Sequence, residues 1–139
     1  MKLNVFFEEI EKFEKPENLK QKLEKLIEDE HKIPGEINII FCHDEYLLKL
    51  NKDYLNHDFY TDVITFDFSG QNIISGDIFI SIDRVKENAE LYKTDFINEV
   101  QRVIIHGTLH LIGFNDKEEE EKKTMTMKED FYLNSNFSK

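Results

Sequence analysis

The chain has 139 residues, 40% of them hydrophobic, and its formal net charge is −11. This size predicts one domain over residues 1–139 with a sizeable buried core, and the acidic balance excludes a protein that holds nucleic acid through general positive charge. The single cysteine, Cys42, excludes an intramolecular disulfide, and no apolar run approaches the roughly 20 residues of a membrane-spanning helix, so we expect a cytoplasmic protein with a buried thiol and no membrane association.

Four elements are predicted in the first half of the chain. They are a strand over residues 3–7, an amphipathic helix over 17–30, a strand over 36–42 and a helix from 45 to about 54. The first helix is predicted because leucines recur at three- and four-residue spacing among charged residues. Pro16 suits the first turn of that helix, Pro34-Gly35 indicates a turn, and Asp44 stands where it would cap the second helix.

The second half predicts two strands and three helices. The strands cover residues 62–68 and 73–82, and the helices cover 83 to about 92, 96 to the residue before Gly113, and 117 to about 132. A short turn between the strands predicts an antiparallel hairpin, and Thr94 or Asp95 is expected to cap the long middle helix. The fold class is therefore α+β, a small mixed or largely antiparallel sheet of about four strands packed with about five helices. The phenylalanines are expected mostly in the core rather than on a surface that stacks bases.

The long helix carries the most informative segment, which reads His-Gly-Thr-Leu-His-Leu-Ile-Gly-Phe-Asn-Asp over residues 106–116. His106 and His110 are four residues apart, so their imidazoles point the same way from one helical face. Gly113 can end the helix in a left-handed conformation and return the chain toward them, which would bring Asp116 close. Two nitrogens and one oxygen with an open fourth position are typical of a catalytic zinc site.

A histidine pair at this spacing is, by itself, only modest evidence for a metal, and the glycine and the aspartate that follow at the spacing needed to close the site are what favour one. The residue after the first histidine also matters. Zinc peptidases of the zincin type carry glutamate there as the general base, whereas this chain has Gly107. Peptide hydrolysis is therefore disfavoured.

In three places the chain resembles the YbeY family, bacterial metal-dependent ribosome-maturation factors described as endoribonucleases. Residues 106–116 are similar to the family's histidine signature. Residues 50–54, Leu-Asn-Lys-Asp-Tyr, followed by 61–66, Thr-Asp-Val-Ile-Thr-Phe, resemble an upstream block, and 76–78, Gly-Asp-Ile, resemble a strand of the family. The resemblance covers roughly residues 36–130.

This resemblance implies a zincin-like metal site on the long helix, holding one zinc ion or another divalent metal. It also implies single-strand-specific endoribonuclease activity in maturing the 3′ end of small-subunit ribosomal RNA. Ribosomal RNA, small-subunit ribosomal proteins and an assembly GTPase are then the expected partners.

The chain departs from the family pattern at two positions. The usual third ligand is histidine, and Asp116 stands in its place; carboxylate oxygen also binds zinc but adds negative charge to the site. Many members carry arginine after the tyrosine of the upstream block, and this chain has Leu55. Any contact to phosphate must then come from another side chain, with the candidates Lys49, Lys52, His57 and Arg102.

Four further residues are candidates for support of the metal or contact with substrate. Glu99 and Arg102 share the histidine face of the helix and are either partners of the metal ligands or a mutual salt bridge at i,i+3. His57 is either a substrate contact or a solvated loop histidine. Thr61, with its neighbour Asp62, is expected to hold the loop through hydrogen bonds to backbone.

Two other functions are weighed against the endoribonuclease. In one, the metal is structural and the protein is a non-catalytic ribosome-assembly factor, which the acidic charge suits because ribosomal proteins are basic. In the other, which Gly107 disfavours, the protein is a peptidase-like metallohydrolase.

Overall fold

A four-stranded sheet with helices on both faces organises the computed structural model, which describes residues 1–134. In chain order the elements are β1 (Lys2–Phe7), α1 (Leu19–Asp29), β2 (Ile33–Cys42), α2 (Asp44–Leu55), β3 (Val63–Asp67), β4 (Ile73–Ser81), α3 (Ile82–Leu91), α4 (Phe96–Ile112) and α5 (Glu119–Asn134). These five helices and four strands confirm the predicted α+β class. No helix within the described residues is long and apolar enough to cross a membrane.

The sheet is mixed, with the strand order β1-β2-β4-β3. β1, β2 and β4 run parallel, and only β3 is antiparallel to its neighbour β4. The mixed sheet and the β3–β4 hairpin are confirmed, whereas the alternative of a largely antiparallel sheet is wrong. Crossovers containing helices separate β1 from β2 and β2 from β4, and such connections bring strands together in parallel.

The two faces of the sheet bury different sets of side chains. On one face, alternate residues of β2 and β4 such as Ile39 and Ile78 pack with α1, α3, α4 and α5 in the large core cluster. On the other face, Cys42 and Ile64 pack with Leu47 of α2 in a smaller cluster. Cys42 is fully buried, as predicted, and burial raises the pKa of its thiol to about 12. The face covered by α4 is the one that positions the histidines.

Two local predictions made from prolines are wrong. Pro16 lies outside α1, which begins at Leu19 after Asn18 in a left-handed conformation. Pro34 lies within β2 opposite Ile74 and not in a turn, and the pairing register shifts between Pro34 and Ile37. Proline is tolerated in a strand where the ladder is irregular, so its sequence signal is the same for a turn and for a bulge.

The starts of α2 and α3 share one polar cluster, which corrects the prediction that Asp44 caps α2. Asp44 is instead the first residue of α2, and its backbone N–H donates to Asp83 Oδ2 at 2.8 Å. The buried Ser81 caps α3 by accepting from the backbone N–H of Arg84 at 3.2 Å, and its hydroxyl donates to Asp44 Oδ1 at 2.7 Å. Asp83 of α3 thus satisfies a backbone N–H at the start of α2, and Asp44 of α2 holds the serine that caps α3.

Helix α4 approaches the sheet closely because glycines stand at the contact. A Cβ atom on Gly107 would lie 2.8 Å from Ile78 Cγ2, and one on Gly76 would lie 2.7 Å from Leu111 Cδ2. Real Cβ atoms do not approach other atoms this closely, so larger side chains would push α4 away from β4. Gly107, where zincin peptidases carry the catalytic glutamate, therefore faces packed core.

The substitution Gly107→Ala is expected to lower the free energy of unfolding by about 1 kcal/mol. Overpacking a core costs roughly 1–3 kcal/mol, and the better helix propensity of alanine recovers about 1 kcal/mol of it. Urea unfolding followed by circular dichroism measures the change. The matched control is Gly70→Ala, since a Cβ there meets nothing within 4 Å. Equal stability of the two variants would contradict the packing argument.

Candidate metal centre

The two histidines lie in the last two turns of α4 with their rings directed to one point. His106 Nε2 and His110 Nε2 are 3.0 Å apart, and the two side chains are 22% and 24% exposed. Helical spacing accounts for this approach, because residues four apart on a helix are stacked one turn above the other. Both nitrogens are therefore close together and still reachable from solvent.

The chain turn after α4 returns Asp116 to the same point. Gly113 has φ of +120°, a conformation that L side chains rarely adopt, and Leu109 O accepts from the backbone N–H groups of Gly113 and Phe114. Asp116 Oδ2 then lies 3.2 Å from His106 Nε2 and 3.4 Å from His110 Nε2. The turn therefore brings the Asp116 carboxylate close to both imidazoles, as the sequence predicted.

The three donor atoms fit a divalent ion. They are separated by 3.0, 3.2 and 3.4 Å. Tetrahedral zinc with bonds of about 2.0–2.1 Å places neighbouring donor atoms about 3.3 Å apart. Imidazole nitrogen and carboxylate oxygen are also accepted ligands of zinc and of several other divalent ions. The triangle matches that spacing without rearrangement of the side chains.

Glu129 of α5 holds the outer nitrogen of His106. His106 Nδ1 donates to Glu129 Oε2 at 2.5 Å, and because a carboxylate only accepts, the ring's other nitrogen keeps its lone pair toward Asp116 and His110. Burial lowers the pKa of the His106 imidazole, but the hydrogen bond and charge of Glu129 outweigh it, and the pKa is raised overall. A carboxylate behind a histidine in this way orients it as a metal ligand.

Arg102 in turn fixes Glu129. Its guanidinium donates to Glu129 Oε1 at 3.1 Å and to Asp130 Oδ1 at 2.7 Å, so it bridges α4 to α5. The predicted alternative, a salt bridge between Arg102 and Glu99, is not among the ion pairs of residues 1–134. Arg102 instead holds Glu129, which in turn accepts from the His106 imidazole, so Arg102 supports the site without contacting the imidazole.

Glu129 was not among the predicted site residues. In the sequence of this helix Met127 and Phe131 stand out as apolar residues, but they are 69% and 61% exposed. The buried stripe consists of Met125, Glu129 and Tyr132. A carboxylate in an otherwise apolar stripe needs a buried partner, and that signal was available in the sequence.

A cavity of about 340 Å³ opens beside His106, His110 and Asp116, which we call the triad. His106, His110 and Asp116 line one side, and the loop after α2 lines the other with His57, Phe59 and Thr61. The buried Asn51 positions this loop, since its side chain Nδ2 donates to Phe59 O at 2.9 Å and its own carbonyl accepts from His57 N at 3.0 Å. The loop candidates His57 and Thr61 thus share one cavity with the triad.

A second cavity of about 610 Å³ lies behind His106 and is lined by Asp62, Glu99 and Arg102 among others. Burial raises the pKa of Asp62, although the nearby His106 lowers it in part. Burial also raises the pKa of Glu99, which is only 4% exposed. Asp62 and His106 line both cavities and therefore lie between them.

No lysine or arginine of the described chain lines the cavity beside the triad. Leu55 is part of its wall. Lys52 pairs with Asp58 at 3.4 Å, and Arg102 faces the second cavity. Of the candidates considered for phosphate contact, His57 is the one that this cavity contains.

Comparison with known proteins gives consistent matches. Residues 5–136 match the family model described as Endoribonuclease YbeY. A protein of that name from Christiangramia forsetii is 47% identical over 128 residues, covering 92% of this chain and 90% of the relative. Another, from Cytophaga hutchinsonii, is 57% identical over 99 residues, covering 70% and 69%. A solution structure of a Thermotoga maritima protein is similar with a TM-score of 0.64 at 30% identity, covering 94% of this chain and 86% of that one.

The substitution Glu129→Gln is expected to weaken binding of a divalent metal by about 10- to 100-fold, because it removes the negative charge behind His106 while keeping the side chain's shape. Competition with a chelator of known affinity measures the change. Glu120→Gln is the control, since Glu120 lies on the same helix, is 88% exposed and pairs only with Lys123 at 3.7 Å among the ion pairs described. If the two variants bind metal equally well, Glu129 does not support the ligand.

Proposed function

This chain belongs to the YbeY family of endoribonucleases, and on that premise we propose that it is a metal-dependent hydrolase that cleaves single-stranded RNA. Its substrate in the cell is the 3′ end of small-subunit ribosomal RNA, and its role is in ribosome biogenesis. The proposal covers residues 1–139 as one domain acting in the cytoplasm. Its partners are ribosomal RNA, small-subunit ribosomal proteins and an assembly GTPase.

The observation that carries the proposal is the triangle of His106, His110 and Asp116 at the wall of an open cavity. We assign these three residues as the metal ligands and zinc as the ion, with another divalent metal as the alternative. Three protein ligands facing a cavity leave room for water or substrate, whereas structural zinc sites use four protein ligands. When bound, the ion supplies positive charge that stabilises a developing phosphoryl oxyanion and makes water a stronger nucleophile.

The chain's own residues then have distinct tasks. Glu129 keeps the proton on His106 Nδ1, and Arg102 holds Glu129 in place. His57 and Asp62 are the acid–base side chains that line the cavity outside the triad, and burial raises the pKa of the Asp62 carboxyl, which makes its carboxylate a stronger proton acceptor. Thr61 contributes to the same wall.

The alternative functions receive less support. The relatives are named endoribonucleases, which does not favour a non-catalytic assembly factor. A peptidase would need a carboxylate near the position of Gly107, and that residue packs against Ile78. An ion that were only structural would also be expected to have a closed ligand set, and this site faces a cavity.

Metal-loaded protein is expected to cleave a single-stranded RNA oligonucleotide, and His110→Ala is expected to lose that activity together with the metal. Removing a ligand should weaken metal binding by more than the roughly 100-fold that loss of a supporting residue can cost. His31→Asn is the control, since His31 is exposed, is not among the cavity residues, and has φ of 64°, which asparagine tolerates. Equal cleavage by the His110→Ala variant would remove the metal from the mechanism.

The fold is expected to survive removal of the metal, because the large core cluster contains none of the three proposed ligands. Circular dichroism after chelation measures this. An unfolded metal-free protein would instead indicate a structural ion.

Asp116→Ala is expected to lose stoichiometric metal, whereas Asp116→His is expected to keep it, because neutral imidazole is an equally accepted ligand. Elemental analysis of the purified variants gives the stoichiometry. Retention of one ion per chain by the alanine variant would show that Asp116 is not the third ligand. Since histidine adds no negative charge, the histidine variant should also be at least as active on RNA.

A further inference from the structure

An exposed aromatic side chain stands at the mouth of the cavity beside the triad. Phe59 is 55% exposed and lines this cavity. The ring of His57 stacks on it, with centroids 5.1 Å apart and planes inclined by 22°. Leu55, which is 39% exposed, extends the same apolar wall. Solvent-exposed apolar surface next to a candidate catalytic centre is typical of a ligand-binding site.

Phe59 is held in place by its backbone and not by burial of its ring. The side chain of Asn51 donates to Phe59 O at 2.9 Å, and Asn51 is itself only 2% exposed. Because the anchor is a backbone contact, it fixes the main chain at Phe59 and leaves the phenyl ring uncovered. The stacked ring of His57 restrains the phenyl ring, which lowers the conformational entropy lost when the ring binds a flat ligand.

The neighbouring aromatic residue is engaged differently. Tyr60 donates its hydroxyl to Glu45 Oε1 at 2.8 Å, and Arg84 lies over its ring at 5.0 Å from the centroid. Tyr60 is not among the residues that line the cavity. Of these two adjacent aromatic side chains, only Phe59 presents itself to the cavity.

The charges around the cavity also restrict how RNA can be held. Its described lining contains no lysine or arginine and includes the acidic Asp62 and Asp116. The chain as a whole carries a net charge of −11. Phosphate contacts usually supply most of the affinity for nucleic acid, and here they are confined to the metal ion and His57. Binding energy must come from another source.

We propose that Phe59, backed by the ring of His57, is a stacking platform for an unpaired nucleobase next to the scissile phosphate. This inference rests on the proposed function, since it takes single-stranded RNA as the substrate. Every base has a π face, so stacking on an aromatic ring is tolerant of sequence. Bases of a duplex are already stacked on one another and cannot reach the ring, so the platform selects single strands.

The first test is steady-state cleavage of a single-stranded RNA by metal-loaded protein. Phe59→Ala raises KM by about tenfold and leaves kcat within about twofold, the order expected for one lost base stack. Phe59→Trp restores the wild-type KM, and Phe59→Leu does not, because leucine keeps apolar bulk without a π face. Phe68→Ala is the matched control, since Phe68 is 67% exposed and is not among the cavity residues.

The second test uses the absence of tryptophan from the chain. Phe59→Trp introduces the single tryptophan of the chain, and stopped-flow mixing with single-stranded RNA quenches its selectively excited fluorescence before turnover. Double-stranded RNA does not quench it, and neither RNA quenches Phe68→Trp. In addition, the wild-type KM rises by less than about sevenfold between about 50 and 200 mM salt, the change expected for two phosphate contacts on a single strand.

Separate outcomes overturn the inference and the function on which it rests. If wild-type protein does not cleave RNA, the proposed function fails and the platform fails with it. If wild-type protein cleaves RNA and Phe59→Ala matches Phe68→Ala in KM, the function stands and the platform is overturned. Rescue by leucine as complete as rescue by tryptophan also overturns it, because the ring would then act only as apolar bulk.

Discussion

Helix α4 lies directly on β4, with Gly107 over Ile78 and Leu111 over Gly76. The site depends on this close contact, because the same helix carries both histidines. Once α4 is seated on the sheet, the ring positions follow from helical geometry, and the turn at Gly113 returns Asp116 to them. The contact also excludes one kind of chemistry. Gly107, the residue after the first histidine, faces the packed core, so no side chain at that position can supply a general base.

Carboxylates lie near both ring nitrogens of His106. Glu129 holds Nδ1 of the ring from behind, Asp116 approaches the other nitrogen from the front, and Asp62 lies nearby in the wall of both cavities. Arg102 is the counter-charge that holds Glu129, and it does so from the far side of the imidazole. Carboxylates this close to one another repel unless positive charge lies between them. A divalent ion among the three donor atoms would provide that charge on the side facing the cavity.

An acidic chain can still belong to an endoribonuclease family, because positive charge is not the only source of affinity for RNA. Phosphate recognition by a basic surface is one source of affinity for RNA, and stacking on aromatic rings is another. Phe59 is an exception to the expectation that the phenylalanines are mostly core residues, since its ring is exposed at the cavity. Its position explains how a chain with Leu55 in the cavity wall can still hold a single strand.

The sequence by itself determined what depends on near neighbours in the chain. The α+β class, the β3–β4 hairpin, the capping of α4 by Asp95 and the approach of Asp116 to the two histidines all follow from periodicity or from the conformational freedom of glycine. The parallel order of the sheet, the pairing of Glu129 with His106 and the place of Phe59 were decided only in the tertiary structure. Contacts such as that between His106 and Glu129, 23 residues apart, depend on how α4 and α5 pack on one sheet face, and local spacing carries no information about that packing.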